Sequence, residues 1–254
     1  MKAYSLFSGS KGNCIYIKSE KAHILVDCGV REKRTRQSIE SLGDKMDDLD
    51  AIFITHEHSD HVNGLRVIEK RYSIPVHITA LSAKEIVKTK EELENMYLHE
   101  VRFEVQINDL EISSFELSHD SVCAVGYVVK DLNTMETLGI ATDTGVVTSD
   151  MKTSLVGCKT VILESNHDSD MLKFGSYPED LKRRIKGKHG HLSNENAAEF
   201  ACYLVENGTK RIVLFHLSDE NNKPELAIET VKKAVNNDKI QIIVAEKNNI
   251  VEII

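Results

Sequence analysis

Three histidines and one aspartate lie within six consecutive residues of this chain. The stretch reads Thr55-His56-Glu57-His58-Ser59-Asp60-His61. It follows a short, apolar, β-branched run at 50–54, which predicts a buried strand. Because side chains alternate along an extended loop, His56 and His58 face one way, and the following turn presents Asp60 and His61 elsewhere. Donors of these types at this spacing indicate a metal site, and one such loop can serve two neighbouring ions.

Three more candidate donors end predicted strands further along the chain. They are His119, Asp143 and His216. Polar residues commonly end strands, but the recurrence of donors after the first motif indicates one shared centre. Two cations roughly 3.5–4 Å apart acidify a bridging water, hold the hydroxide as nucleophile and neutralise charge on the substrate. The pattern therefore predicts a dinuclear hydrolase, and its histidine-rich ligands favour zinc, manganese or iron over magnesium or calcium.

Strand-like and helix-like patterns that would position these donors run along the whole chain. Strands are predicted at 3–8, 14–19, 22–27, 51–55, 75–79, 110–117, 123–130, 137–142, 159–164, 210–215, 240–245 and 250–254. Helices are predicted at 61–72, 81–96 and 178–186, from an N-cap at Ser193 to Asn207-Gly208, and from Pro224. Early strands follow one another like hairpins and later strands alternate with helices, which fits two sheets covered by helices. We expect residues 1–254 to form one α/β domain.

Charge is distributed unevenly. A net charge of −8 argues, by itself, against nucleic-acid binding. However, five positive charges fall within residues 182–189, and Lys182, Arg183 and Arg184 begin this strip. A second basic cluster at 31–36 is read as an ordinary solvated face. A locally positive strip on an acidic protein suits a polyanion bound at one place.

Cysteines and hydropathy exclude several classes of protein. The five cysteines are scattered and never form C-x-x-C, so a disulfide framework or zinc ribbon is disfavoured. Those at 14, 28, 123 and 158 are expected to be small buried hydrophobes. No run approaches the ~18 apolar residues that span a bilayer, and the first residues lack the apolar region of a signal peptide. We expect a cytoplasmic protein without a membrane partner.

The donor pattern resembles the metallo-β-lactamase superfamily, whose signature is H-x-H-x-D-H, then a lone His, a lone Asp and a final His. The resemblance spans nearly the whole chain and implies an αββα sandwich of two mixed β-sheets flanked by helices. It implies catalytic roles for Asp60 and Asp143. It also implies two metal ions bridged by Asp143, one held by His56, His58 and His119 and the other by Asp60, His61 and His216.

Particular residues select among the activities of this superfamily, since the fold alone does not fix function. Flavodiiron-type proteins carry a carboxylate where this chain has His58. Secreted β-lactamases usually lack the equivalent of Asp60 and carry a signal peptide. Both classes are disfavoured, whereas a glyoxalase II-like thioesterase stays open.

A second histidine motif, Gly190-His191-Leu192-Ser193, precedes a predicted helix. Nucleases and phosphodiesterases of the superfamily carry a histidine at a similar point, which implies that His191 binds phosphate or protonates the leaving group. His191 and Ser193 lie near a helix N-terminus, where free N–H groups favour an anion. The alternative is a capping loop with an incidental histidine. Ser10 and Asn13 either offer polar groups to a phosphate or only belong to a glycine-shaped hairpin turn.

The interval between Asp143 and His216 is too short for the inserted nucleic-acid domain of some RNA-processing members. Loops at 8–14, 55–61, 164–168 and 190–193 resemble the YycJ (WalJ) subgroup. This resemblance implies a compact 5′-to-3′ exonuclease acting on DNA, with a role in mismatch repair. Hydrolysis of a small cyclic phosphate or a thioester is the alternative activity, and a regulatory protein with a retained metal site is the non-enzymatic one. Oligomeric state is left open.

Overall fold

The computed structural model describes residues 1–89 and 93–254. Its strands are β1 (Lys2–Phe7), β2 (Cys14–Lys18), β3 (His23–Val26), β4 (Ala51–Phe53), β5 (Val76–Thr79), β6 (Met96–His99), β7 (Glu104–Ile107), β8 (Leu110–Glu116), β9 (Val125–Asp131), β10 (Thr137–Ala141), β11 (Thr160–Glu164), β12 (Arg211–Phe215), β13 (Gln241–Val244) and β14 (Val251–Glu252). Its α-helices are α1 (Glu32–Ser41), α2 (Ser59–Val62), α3 (Leu65–Tyr72), α4 (Ala80–Thr89), α5 (Ser149–Leu155), α6 (Ser169–Phe174), α7 (Glu179–Lys186), α8 (Asn194–Glu206) and α9 (Pro224–Val235). A 3-10 turn covers Met46–Asp48.

Within the described residues, the strands form two seven-stranded sheets. The first has the order β14-β1-β2-β3-β4-β5-β6 and the second the order β13-β12-β11-β10-β9-β8-β7. The pairs from β3 to β6 are parallel, as are those from β10 to β13, and the remaining pairs are antiparallel. Both sheets are therefore mixed, and the ends of their parallel strands are available to build a site.

Three apolar layers hold the sheets and helices together. Residues such as Ile24 and Phe53 of the first sheet pack against Ile112 and Tyr127 of the second. A second layer joins the first sheet to α1, α3 and α4, and a third joins the second sheet to α5, α8 and α9. This arrangement confirms the predicted αββα sandwich.

Several predicted element boundaries were wrong. The helix expected at 61–72 is broken after Val62, where Gly64 passes the Val30 carbonyl so closely that a Cβ would lie 2.0 Å from its oxygen. Of the helix expected at 81–96, the described residues show Ala80–Thr89 as helix, and Met96–His99 is an edge strand paired with β5. Residues 90–92 of that prediction lie outside the described residues. Sheet pairing overrides local helical periodicity here.

The strands β6 and β7 and the helices α1, α5 and α6 were missed by sequence reasoning because they are short or mostly polar. The five cysteines are free, and Cys123 is only partly buried, contrary to the expectation. Within the described residues, the structure contains no helix with both the length and the apolar character needed to cross a bilayer.

Candidate metal centre and substrate cleft

The predicted donors converge at one edge of the sandwich, beyond the ends of β4, β8, β10 and β12. Among the described residues, four overlapping groups have ligand atoms within 4.8 Å of one another: His56, His58 and His119; His56, His61 and Asp143; Asp60, His61 and His216; and Asp143, Glu164, His191 and His216. Asp143 lies among them. Its Oδ2 is 3.3 Å from His61 Nε2, and its Oδ1 is 3.3 Å from His216 Nδ1 and 4.0 Å from His119 Nε2.

The donor set fits divalent cations. Among the described residues, the Nε2 atoms of His56 and His216 are buried and have no hydrogen-bond partner. A buried polar atom left unpaired costs about 1–3 kcal/mol, so this arrangement calls for a ligand. Imidazole and carboxylate donors suit zinc, manganese or iron. The residues present therefore match the ions that the sequence predicts.

The charge of the site also favours a cation. Burial disfavours protonated His61, yet the carboxylates of Asp143, Asp27 and Asp60 raise the pKa of His61 well above its ordinary value. Burial likewise opposes ionised Asp143, but His216 and His61 hold the pKa of Asp143 well below its ordinary value. Carboxylates thus surround the ring nitrogens, and a metal ion can take the place of a proton there.

Asp27 fixes the orientation of His61. Its Oδ2 accepts a hydrogen bond from His61 Nδ1 at 2.7 Å and another from the Thr55 hydroxyl at 2.9 Å. Its Oδ1 accepts the Thr55 backbone N–H at 2.9 Å. With Nδ1 occupied, His61 presents Nε2 to the centre, as expected when a carboxylate orients a ligand histidine.

Glu164 has the corresponding role on the second sheet, and sequence reasoning did not single it out. Its Oε1 lies 2.7 Å from His191 Nδ1 and 3.0 Å from His216 Nδ1. Its Oε2 accepts backbone N–H groups of Thr144 and Leu192 at 2.9 and 3.1 Å. Burial alone would raise the pKa of Glu164, but His191 and His216 lower it to about 2. The available signal was its position at the end of β11, next to β10 and β12.

Three of the orienting and ligating residues share an unusual backbone conformation. Asp27, Asp143 and His216 have φ values of 63°, 55° and 58°. They follow β3, β10 and β12, respectively. Residues other than glycine adopt this left-handed region infrequently, and Asp, Asn and His do so most readily. The turn at each strand end redirects the side chain towards the centre, a use of backbone strain typical of functional sites.

Close backbone packing supports the first motif. A Cβ on Gly29 would lie 1.7 Å from the Asp60 carbonyl oxygen, so only glycine fits there. Asn13, beside it, is buried and donates its backbone N–H to Asp60 O at 2.8 Å. The Asn13 side-chain nitrogen lies 3.0 Å from His61 Nε2. Asn13 therefore touches the proposed ligands themselves.

Glu57 points away from the donors that flank it. Its Oε1 accepts the Val122 backbone N–H and its Oε2 the Ser82 hydroxyl, both at 2.9 Å. The first bond ties the motif to the loop that carries His119, and the second ties it to α4. Glu57 thus positions a ligand loop.

A cleft of about 200 Å³ lies beside the metal centre. Its walls include Ser10, Asp120, Tyr177, Arg184, His191 and Ser218. The Nδ1 of His191 is bound to Glu164, which leaves Nε2 as the nitrogen available to the cleft. Burial opposes charge on His191, but Glu164 raises its pKa above the ordinary value. His191 is therefore suited to contact an anion.

The three residues that begin the basic strip have different surroundings in the structure. Arg184 lines the cleft, where its Nε bonds to Asp120. Arg183 is exposed and pairs with Asp180 on its own helix. Lys182 is mostly buried, and its Nζ donates to Lys173 O and Glu179 Oε1, both at 3.0 Å.

Ser193 is also only slightly exposed. Its hydroxyl accepts the Asn196 backbone N–H at 3.2 Å and so caps α8, as the helix prediction required.

The fold and this site define a member of the metallo-β-lactamase superfamily. Residues 22–217 match the family model described as the beta-lactamase superfamily domain, and the chain belongs to this family. Solved structures agree on the fold. The metallo-β-lactamase fold protein YhfI of Bacillus subtilis has a TM-score of 0.76 at 14% identity, covering 99% of this chain and 98% of its own. Human tRNase Z, short form, has a TM-score of 0.71 at 19% identity, covering 100% of both chains.

Sequence comparison identifies relatives whose names state an enzymatic activity. The chain is 35% identical to exodeoxyribonuclease YycJ of Bacillus anthracis over 91% of its length and 87% of the relative. It is 36% identical to exodeoxyribonuclease WalJ of Streptococcus pneumoniae, strain D39, over 89% of its length and 85% of the relative. The superfamily and subgroup suggested by the motifs are thereby confirmed, as is the prediction of a hydrolase.

Proposed function

We propose that this chain is a dinuclear metal-dependent phosphodiesterase that degrades DNA as a 5′-to-3′ exonuclease. The observation that carries the proposal is the convergence of two donor groups around Asp143. One group is His56, His58 and His119, and the other is Asp60, His61 and His216. The names of the relatives support DNA as the substrate. We further propose that the chain works as one domain in the cytoplasm, with a role in DNA repair.

In this proposal, His56, His58 and His119 hold one cation, Asp60, His61 and His216 hold the other, and Asp143 serves both. When bound, two divalent ions supply an acidified water and neutralise charge on the phosphate. Zinc, manganese and iron all suit these donors.

The residues of the cleft act on the substrate. His191 is held by Glu164 so that its Nε2 faces the phosphate, where it stabilises negative charge or gives a proton to the leaving oxygen. Arg184, which is steadied by Asp120, binds a neighbouring phosphate. Ser10 lies in the same cleft and offers a hydroxyl donor. Asp27 keeps His61 in position, and the backbone N–H of Asn13 holds the carbonyl of Asp60.

A nuclease assay with end-blocked substrates tests the proposal. Manganese-loaded protein is given DNA strands blocked at the 5′ or the 3′ end, together with cyclic nucleotides and acyl thioesters. We expect stepwise release of nucleotides that a 5′ block stops and a 3′ block does not. Stepwise release that is stopped only by a 3′ block would show digestion in the opposite direction, from 3′ to 5′. Hydrolysis of only a cyclic nucleotide or a thioester would replace the proposal with the small-molecule activity.

A further inference from the structure

Part of the lining of the cleft is apolar, although α7, which contributes to that lining, is highly charged. Leu181 and Ile185 lie four residues apart on α7 and so share one face of the helix, and Tyr177 lies just before the helix, next to its N-cap Pro178. All three are partly buried, and all three line the cleft beside His191. An aromatic ring and two aliphatic side chains thus face the substrate site.

The lining of the cleft also contains polar and charged side chains. Arg184 is held by Asp120, and His191 is held by Glu164. Ser10 adds a hydroxyl group. A nucleotide has the same division, with a flat apolar base at one end and an anionic phosphate at the other. The volume of about 200 Å³ is below the ~300–1,000 Å³ of pockets for drug-sized ligands, so the cleft has room for one base rather than for several nucleotides.

We propose that Tyr177, supported by Leu181 and Ile185, is a stacking platform for the base of the terminal nucleotide, whose phosphodiester lies at the metal centre. This inference rests on the proposed nuclease function and adds the recognition of one base. Stacking on an aromatic ring tolerates every base, because each base has a flat π-face. The enzyme should therefore require a base at this position without selecting its identity.

The experiment compares two single-stranded DNA substrates with metal-loaded full-length protein. One ends in a normal nucleotide, and the other carries an abasic tetrahydrofuran unit at the end from which digestion starts. For the unmodified protein, we expect kcat/KM to be about tenfold higher on the normal end. In Tyr177→Ala this preference should fall below about twofold, whereas Tyr177→Phe, which keeps the ring, should retain it. Equal cleavage of both ends by the unmodified protein, or a full preference in Tyr177→Ala, would overturn the platform.

Controls separate this inference from the proposed function and from damage to the fold. Tyr97 is an exposed tyrosine on β6 and does not line the cleft, so Tyr97→Ala should keep the preference for the normal end. A terminal 2-aminopurine gives a second measurement on the unmodified protein, because stacking on Tyr177 should quench its fluorescence; unquenched bound DNA would contradict stacking. An unmodified protein that cleaves no DNA would refute the nuclease function itself. A protein that cleaves normal and abasic ends equally well would refute only the stacking of the base on Tyr177.

Discussion

The two halves of the metal centre are built in the same way but are used differently. On the first sheet, one carboxylate, Asp27, binds His61 and Thr55 inside a buried loop. On the second sheet, one carboxylate, Glu164, binds His216 and His191, and His191 reaches the cleft. The first half therefore only positions a ligand, whereas the second links ligand geometry to substrate contact.

This difference separates metal binding from catalysis. A change confined to the first half alters the metal site, so activity should fall in proportion to the loss of bound metal. A change at Glu164 disturbs His191 as well, and His191 is not among the proposed ligands. Substitutions in the cleft wall should change substrate binding without changing metal binding.

Asp143 belongs to both halves, so its loss should have the largest effect. We expect Asp143→Ala to lower DNA hydrolysis about 10³-fold or more, because several kcal/mol of charge stabilisation depend on the ions that it helps to hold. Bound metal, measured by elemental analysis, should fall in parallel. Asp238→Ala, at an exposed aspartate, is the matched control. Full activity in Asp143→Ala would contradict the shared centre.

The two orienting carboxylates should behave differently from each other. Asp27→Asn should reduce metal affinity and activity together, each about 10–100-fold, because His61 loses its partner. Glu164→Gln should reduce activity further than metal affinity, since it also releases His191. Metal titration and kcat measured at saturating metal would check this. Parallel losses in both variants would remove the contrast between the two halves.

The sequence was informative where the chemistry is local. The first motif supplies four candidate donors from one loop, and strand ends supply the other three, so the sequence predicted the seven side chains that the structure brings together. Their role as metal ligands stays a prediction. Glu164 was missed because its importance arises from the pairing of β11 with β10 and β12, which brings it between two distant histidines. Lys182, Arg183 and Arg184 looked equivalent in sequence. Their surroundings depend on how α7 is rotated against the cleft, and tertiary packing sets that rotation.

The neighbouring arginines of α7 test the contribution of the cleft wall. Arg184→Ala should weaken binding to single-stranded DNA about tenfold, the order expected for one charged hydrogen bond. It should also lower the slope of log affinity against log salt by about 0.7, because one phosphate contact is lost. Arg183→Ala is the control, since Arg183 pairs with Asp180 away from the cleft lining. Equal losses of DNA affinity in the two variants would show that the whole basic strip contributes to binding.

Ser193 should show the smallest effect, and on stability rather than on substrate. Removing its hydroxyl in Ser193→Ala leaves the Asn196 N–H without its cap and should cost about 1 kcal/mol. For a chain of this size, the melting temperature should fall by about 2–4 °C. Ser193→Asn, which can still cap the helix, should restore it. A KM for DNA that rises several-fold in a fully folded Ser193→Ala protein would instead place this hydroxyl on the substrate, because a cap acts on the free energy of unfolding and leaves KM nearly unchanged.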